Sequence, residues 1–208
     1  RVKKNNHLDK LKMIYIETPT NPMMEICDIR AISKIAKKNK CILVVDNTFM
    51  SPYNQRPIEL GADIVMHSIT KYLNGHSDVI GGILVSNNNT LLEKLKFIQM
   101  SVGSVPSPFD CWIVQRSLKT LHVRMDRHNF NADKIAKHLI KSKKISAIYY
   151  PGLTNHPNHK IAKKQQLNPK GLEVYGGMIS IDLGSKKNAR KFVKNLQIFT
   201  LAESLGGV

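Results

Sequence analysis

Residues 13–46 read MIYIETPTNPMMEICDIRAISKIAKKNKCILVVD, a succession of apolar run, proline turn, helical repeat and apolar run. The apolar run Met13 to Glu17 is closed by Thr18-Pro19-Thr20-Asn21-Pro22, whose two prolines exclude a continuing helix or a central strand. A strand followed by an ordered turn results. Asp28 then caps a helix in which Ile29, Ile32, Ile35 and Ala36 recur at helical spacing, with Lys37, Lys38 and Lys40 crowding its end near Asn39. Cys41 to Val45 is an unbroken run of branched aliphatics ending at Asp46, as expected of a parallel strand buried on both faces.

Beyond it, Asp63 to His67 and Gly82 to Ser86 read as further strands, and Thr90 to Met100 as a helix. Pro106-Ser107-Pro108 restarts the chain, and Phe109 to about Lys141 is mostly helical. Ala147 to Tyr150, Met178 to Leu183 and Ile198 to Leu201 are strand candidates, with a helix at Ala189 to Leu196 between the last two. The pattern predicts an α/β protein with a mostly parallel sheet and helices on both faces, followed by the start of a smaller α+β domain. The expected division is residues 1–122 and 123–208.

The chain has 208 residues, 42% hydrophobic and 6% aromatic, which supports a packed interior and excludes disordered and collagen-like classes. It begins at Arg1 and stops on Gly206-Gly207-Val208 just after a strand-like run, which reads as part of a longer sequence. Cys27, Cys41 and Cys111 are too few and too dispersed for a disulfide scaffold, so a reducing, cytoplasmic location is expected. No apolar run reaches membrane-spanning length. Thirty-two Lys and Arg against fifteen Asp and Glu give +17, a surplus that attracts polyanions whatever the fold. Nine lysines and no acid fall between residues 134 and 170, whereas residues 41–80 hold only Arg56 and Lys71 against four acids. The excess is thus remote from the best motif and carries no interleaved aromatics, which argues against nucleic acid as the main partner.

In an open parallel sheet, functional groups collect at the carboxyl ends of strands. Three segments hold that position: Glu17 to Pro22, Asp46-Asn47-Thr48 and Ser68-Ile69-Thr70-Lys71. They supply a strand-end acid, a lysine preceded by two hydroxyls and an amide on a proline-stiffened loop. Pyridoxal phosphate needs such a set: a lysine for its aldehyde, an acid that keeps its ring nitrogen protonated, and donors for its phosphate. Lys71, Asp46, and Ser68 with Thr70 are the candidates.

The wording of these segments resembles the cysteine and methionine metabolism family of pyridoxal phosphate enzymes. The shared blocks are SITKYLNGHSD (Ser68 to Asp78), ILVVDNTFMSPY (Ile42 to Tyr53), ETPTNP (Glu17 to Pro22), SVPSPFDC (Ser104 to Cys111), LKTLHVRM (Leu118 to Met125), YYPGL (Tyr149 to Leu153), GGMIS (Gly176 to Ser180) and LAESLGG (Leu201 to Gly207). The resemblance implies a fold-type I architecture in which Lys71 anchors the cofactor and then shuttles protons. It implies further that Asp46 pairs with the ring nitrogen, Ser68 and Thr70 bind the phosphate, and Asn21 donates to the phenolic oxygen. Ser204 and Glu203 look like the family's serine and acid on the substrate side, and Glu203 accompanies gamma-type chemistry. Glu17 reads either as a substrate-side acid or as a turn-capping carboxylate. The implied activity is gamma-elimination of cystathionine, a small amino-acid substrate, in a homotetramer of dimers that share active sites. Gamma-synthase and methionine gamma-lyase activities are the alternatives within the family, and an inactive polyanion-binding relative is the alternative outside it.

Three positions depart from the family pattern: Ile69 in place of a small residue, Gly81 in place of a bulkier one, and Ser117 before LKTL in place of glycine. The family's upstream stacking aromatic, its glycine-rich phosphate loop, the segment lent by a neighbouring subunit and its carboxylate-clamping arginine find no counterpart here. These 208 residues alone are therefore expected to fold poorly and to be inactive. His156 and His159 read as a solvent-facing turn rather than a metal site. His67 is expected to line the sheet, His76 to order its loop, and Trp112 to lie in the core.

Overall fold

The computed structural model describes residues 11–208. β1 (Met13–Glu17), β2 (Ile42–Asp46) and β3 (Ile64–Ser68) run parallel, and β4 (Gly82–Val85) lies antiparallel against β3 in the order β1-β2-β3-β4. β4 reverses because residues 69–81 turn straight back, with no crossover helix to bring the chain round in the parallel sense. The three parallel strands therefore end on one edge, and the register aligns Glu17 with Asp46 and Asp46 with Met66.

Between β1 and β2 runs α1 (Ile29–Lys38), where the Asp28 carboxylate accepts the Ala31 amide at 2.9 Å. It buries Ile29, Ser33 and Ala36, and Ile32 packs beside them against Leu43, Val45, Leu60 and Val65. Ile35 lies one position off that face and is 40% exposed, so spacing alone overcounted the buried stripe. α2 (Ser51–Asn54), a tight turn over Pro57–Leu60 and a wide turn over Ile69–Leu73 complete the connections around β3.

α3 (Asn89–Val102) is capped by the Asn88 side chain on the Leu91 amide and stops at Gly103 in the left-handed region, φ 71°. The expected helix from Phe109 to Lys141 is divided into α4 (Pro108–Leu118) and α5 (Leu121–Leu139). The break falls where the Lys119 and Thr120 amides tighten onto Arg116 and Ser117 and the Thr120 hydroxyl also donates to the Ser117 carbonyl. α5 is the spine of the molecule: Leu121 and Met125 pack on Tyr72 and Leu73, while Ala132 and Ala136 pack on Tyr150 and Leu153.

A second sheet pairs β5 (Ala147–Tyr149) antiparallel with β6 (Ser180–Asp182), accompanied by α6 (His159–Gln165) and α7 (Lys186–Lys194). Two expectations are corrected. Ile198 to Leu201 forms no strand; the run is exposed, and apolar residues without a neighbouring strand have nothing to pair with. Trp112 is 59% exposed and stacks on Phe109 rather than entering the core. Among the described residues no helix is long and apolar enough to cross a membrane.

Candidate active site

Glu17, Asp46 and Ser68 are the last residues of the three parallel strands, so the sheet delivers them to one edge. Asp46 bends the chain there: its Oδ1 accepts the Thr48 amide at 3.0 Å and the Thr48 hydroxyl at 2.6 Å. The same hydroxyl oxygen accepts the Ser68 amide at 2.8 Å, so one threonine ties the end of β2 to the end of β3. The sequence motif by itself assigns Thr48 no role. Its signal was legible as a hydroxyl two residues after a strand-end aspartate, which is Asx-turn chemistry.

Lys71 sits inside the wide turn with φ −91° and ψ −124°, outside helical geometry, while the amides of Asn74 and Gly75 bond the carbonyls of Ile69 and Lys71. Its ammonium donates to the Ser204 hydroxyl at 3.2 Å. The segment carrying Ser204 lies along the lysine turn, with the Val208 amide on the Gly75 carbonyl. Gly206 makes this approach possible. A Cβ there would stand 3.1 Å from the Tyr72 nitrogen and 3.2 Å from the Lys71 carbonyl carbon, at φ +83°.

The remaining candidates vary. The Thr70 hydroxyl is engaged with Gly81, accepting its amide at 3.1 Å and facing its carbonyl at 3.4 Å. Ile69 stands against Gly81, where an added Cβ would lie 3.8 Å from the Ile69 Cβ, so the larger residue and the smaller one share one space. Glu17 lies beside Asp46; burial first, and that neighbouring charge second, push its carboxyl up, while the Asn21 amide pulls it down. Asn21 is exposed on its loop, and Glu203 is exposed without a hydrogen bond among the described residues.

The histidines divide. His67 is buried with an unpartnered Nδ1, and burial lowers it to about 4 against the opposing pull of Asp46. His76 orders its loop as expected, its Nδ1 2.7 Å from the Asn74 carbonyl and 3.4 Å from the Ser117 hydroxyl. His156 is buried rather than solvent-facing, and its Nδ1 accepts the Asn158 amide within the turn. Among the described residues no cluster could hold a metal ion.

A chain of buried amides supports the edge from behind. Asn47 bonds the Ser51 and Gln55 carbonyls, Gln55 bonds the Thr18 carbonyl and the Asn47 side chain, and Gln165 of α6 bonds Gln55 and Cys27. The residues adjoining Glu17 and Asp46 are thereby fixed to the second half of the chain.

The model of the Cys/Met metabolism PLP-dependent enzymes matches residues 2–208. The chain belongs to that family. It is 53% identical to cystathionine gamma-lyase of Dictyostelium discoideum, across 99% of this chain and 52% of the relative. It is 52% identical to a cystathionine beta-lyase of Lactococcus lactis, across 96% of this chain and 51% of the relative. A solved cystathionine gamma synthase of Xanthomonas oryzae, in complex with aminoacrylate and cysteine, superposes with a TM-score of 0.89 at 44% identity, covering 95% of this chain and 50% of that one. The chain spans about half the length of the relatives it matches. The family's cofactor is pyridoxal phosphate, and the donor set fits it: an amine at Lys71, a carboxylate at Asp46 and hydroxyls at Ser68, Thr70 and Ser204.

Proposed function

We propose that the protein to which these residues belong catalyses gamma-elimination of cystathionine, with uptake of one water, to cysteine, 2-oxobutyrate and ammonia. The observation that carries this reading is the Lys71 amine resting on the Ser204 hydroxyl at the strand edge where Asp46 ends β2. In this reading Lys71 holds the cofactor aldehyde, Asp46 keeps the ring nitrogen protonated, and Ser68 and Thr70 serve the phosphate. Asn21 donates to the phenolic oxygen. The bound cofactor supplies an electron sink for a carbanion next to the amino group. The Lys71 Nζ would take the proton from the α-carbon, and loss of a second proton from the β-carbon would let the γ-sulfur depart. Ser204, Glu203 and Glu17 stand on the substrate side, and Glu203 supports gamma chemistry over beta. Residues 1–122 would belong to the cofactor domain and 123–208 to the connecting helix and small domain of a cytoplasmic homotetramer built from dimers that share sites.

Gamma synthesis is the second reading, favoured by the likeness to the Xanthomonas oryzae synthase. Product analysis of the full-length protein separates the readings. Cystathionine yielding 2-oxobutyrate supports the lyase, pyruvate with homocysteine indicates beta-elimination, and consumption of an acylated homoserine with cysteine indicates synthesis. Methionine as sole substrate tests the methionine lyase. Lys71→Ala is expected to abolish both turnover and borohydride-trapped cofactor; trapped cofactor on another lysine of the unaltered protein would overturn the assignment.

A further inference from the structure

Arg124 is buried on α5, and among the described residues no carboxylate pairs with it. Burying a cation without a counter-ion is costly, so its hydrogen bonds must answer for it. Its Nη1 donates to the Tyr72 carbonyl at 2.7 Å, its Nη2 to the Ser117 carbonyl at 3.0 Å and weakly to the Leu73 carbonyl at 3.4 Å, and its Nε to the Thr120 hydroxyl at 3.1 Å. Two of these acceptors are the residues that follow Lys71 in its turn; the other two form the junction of α4 and α5. The bonds within the turn go to the carbonyls of Ile69 and Lys71, so those of Tyr72 and Leu73 fall to the guanidinium.

A second observation shows how closely the group is seated. Gly75 has φ +73°, and a Cβ there would lie 2.2 Å from the Arg124 Nη1 and 2.8 Å from its Cζ. The chain bends around the guanidinium and leaves no room for a side chain. Burial pulls Arg124 below its ordinary value, and its charge, after burial, helps to hold neighbouring His128 low. Only a planar fork reaches both backbone segments at once; a lysine would offer a point charge to one.

We infer that Arg124 is a positioning residue for catalysis, fixing the turn that carries Lys71 so that its amine meets Ser204. The inference rests on the reading of Lys71 as the cofactor lysine. Arg124 touches no reacting atom; it acts through the Tyr72 and Leu73 carbonyls.

The test uses the full-length holoenzyme with Arg124→Lys, Arg124→Ala and, as a milder change, Thr120→Val. In Arg124→Lys, borohydride still traps the cofactor on Lys71, kcat falls about 10- to 100-fold, KM for cystathionine stays within about threefold, and visible circular dichroism of the bound cofactor changes. Thr120→Val loses about threefold in kcat with the same dichroic change in weaker form, and guanidinium ion restores part of kcat to Arg124→Ala. Unchanged kcat and dichroism in folded Arg124→Lys, or in Thr120→Val should the arginine variants fail to fold, would overturn the inference. Failure to trap cofactor on Lys71 in the unaltered enzyme would overturn the underlying reading, and the inference with it.

Discussion

The Lys71 ammonium donates to the Ser204 hydroxyl at 3.2 Å across 133 residues of sequence. The contact holds the chain's only lysine between residues 41 and 80 against the LAESLGG segment. Ser204→Ala in the full-length enzyme is expected to lower kcat/KM about tenfold while borohydride still traps the cofactor on Lys71. Steady-state kinetics with cystathionine decides it, and unaltered kcat/KM would mean that the hydroxyl only fills space.

Thr48 makes two bonds at one oxygen, so Thr48→Val removes the Asp46 hydroxyl contact and strands the Ser68 amide. A fully buried amide left without an acceptor costs about 1–3 kcal/mol, and the half-buried Ser68 amide is expected to fall at the lower end. Urea unfolding should show that loss, and cofactor titration should show weaker binding because the Asp46 carboxylate loses a partner.

His67 gives the site edge a pH dependence whose direction is fixed by its shift from 6.5 to about 4. The unfolded chain binds this proton more readily than the folded one, so stability from a neutral His67 is complete above about 6.5 and declines as pH falls towards 4. The loss across that window is up to about 3 kcal/mol. Urea unfolding between pH 4 and 7 should show this slope, and His67→Gln should flatten it.

At Gly206, alanine would need a positive φ and would press its Cβ on the backbone of Lys71 and Tyr72. Gly206→Ala should push the Ser204 segment off the turn and lower kcat at least tenfold, with a loss of about 1–3 kcal/mol in stability. A variant with normal kcat and normal melting would show that the segment does not need this approach.

Phe97, Met100, Phe109 and Trp112 are all more than half exposed on α3 and α4. Large apolar side chains left exposed in this number, with Phe109 stacked on Trp112, invite association. The 208-residue chain expressed alone should therefore bind a hydrophobic dye, self-associate in sedimentation and release no measurable 2-oxobutyrate from cystathionine.

The parallel core was legible because Cys41 to Val45 has the composition of a strand buried on both faces and because Asp28 and the 29–36 repeat mark a capped helix. Asp46 stands out in the sequence as the end of an apolar run and Lys71 as a lysine after two hydroxyls, and the structure places the first at the end of β2 and the second in the turn after β3. What escaped notice depends on long-range contact. Arg124 lies some fifty residues from the Tyr72 and Leu73 carbonyls it binds, Thr48 joins two strands, and the exposure of Trp112 is set by neighbours that its own segment does not encode. Ile198 to Leu201 has strand composition, yet a strand exists only where another lies beside it.

The buried amides that run from Asn47 through Gln55 to Gln165 cross the sequence rather than follow it. The lysine-bearing turn at residues 141–144 is mostly exposed and lies between those anchors, an open target for trypsin. A cut there severs the polypeptide but none of the side-chain hydrogen bonds spanning it, so the two pieces would migrate together in native chromatography and part only in detergent.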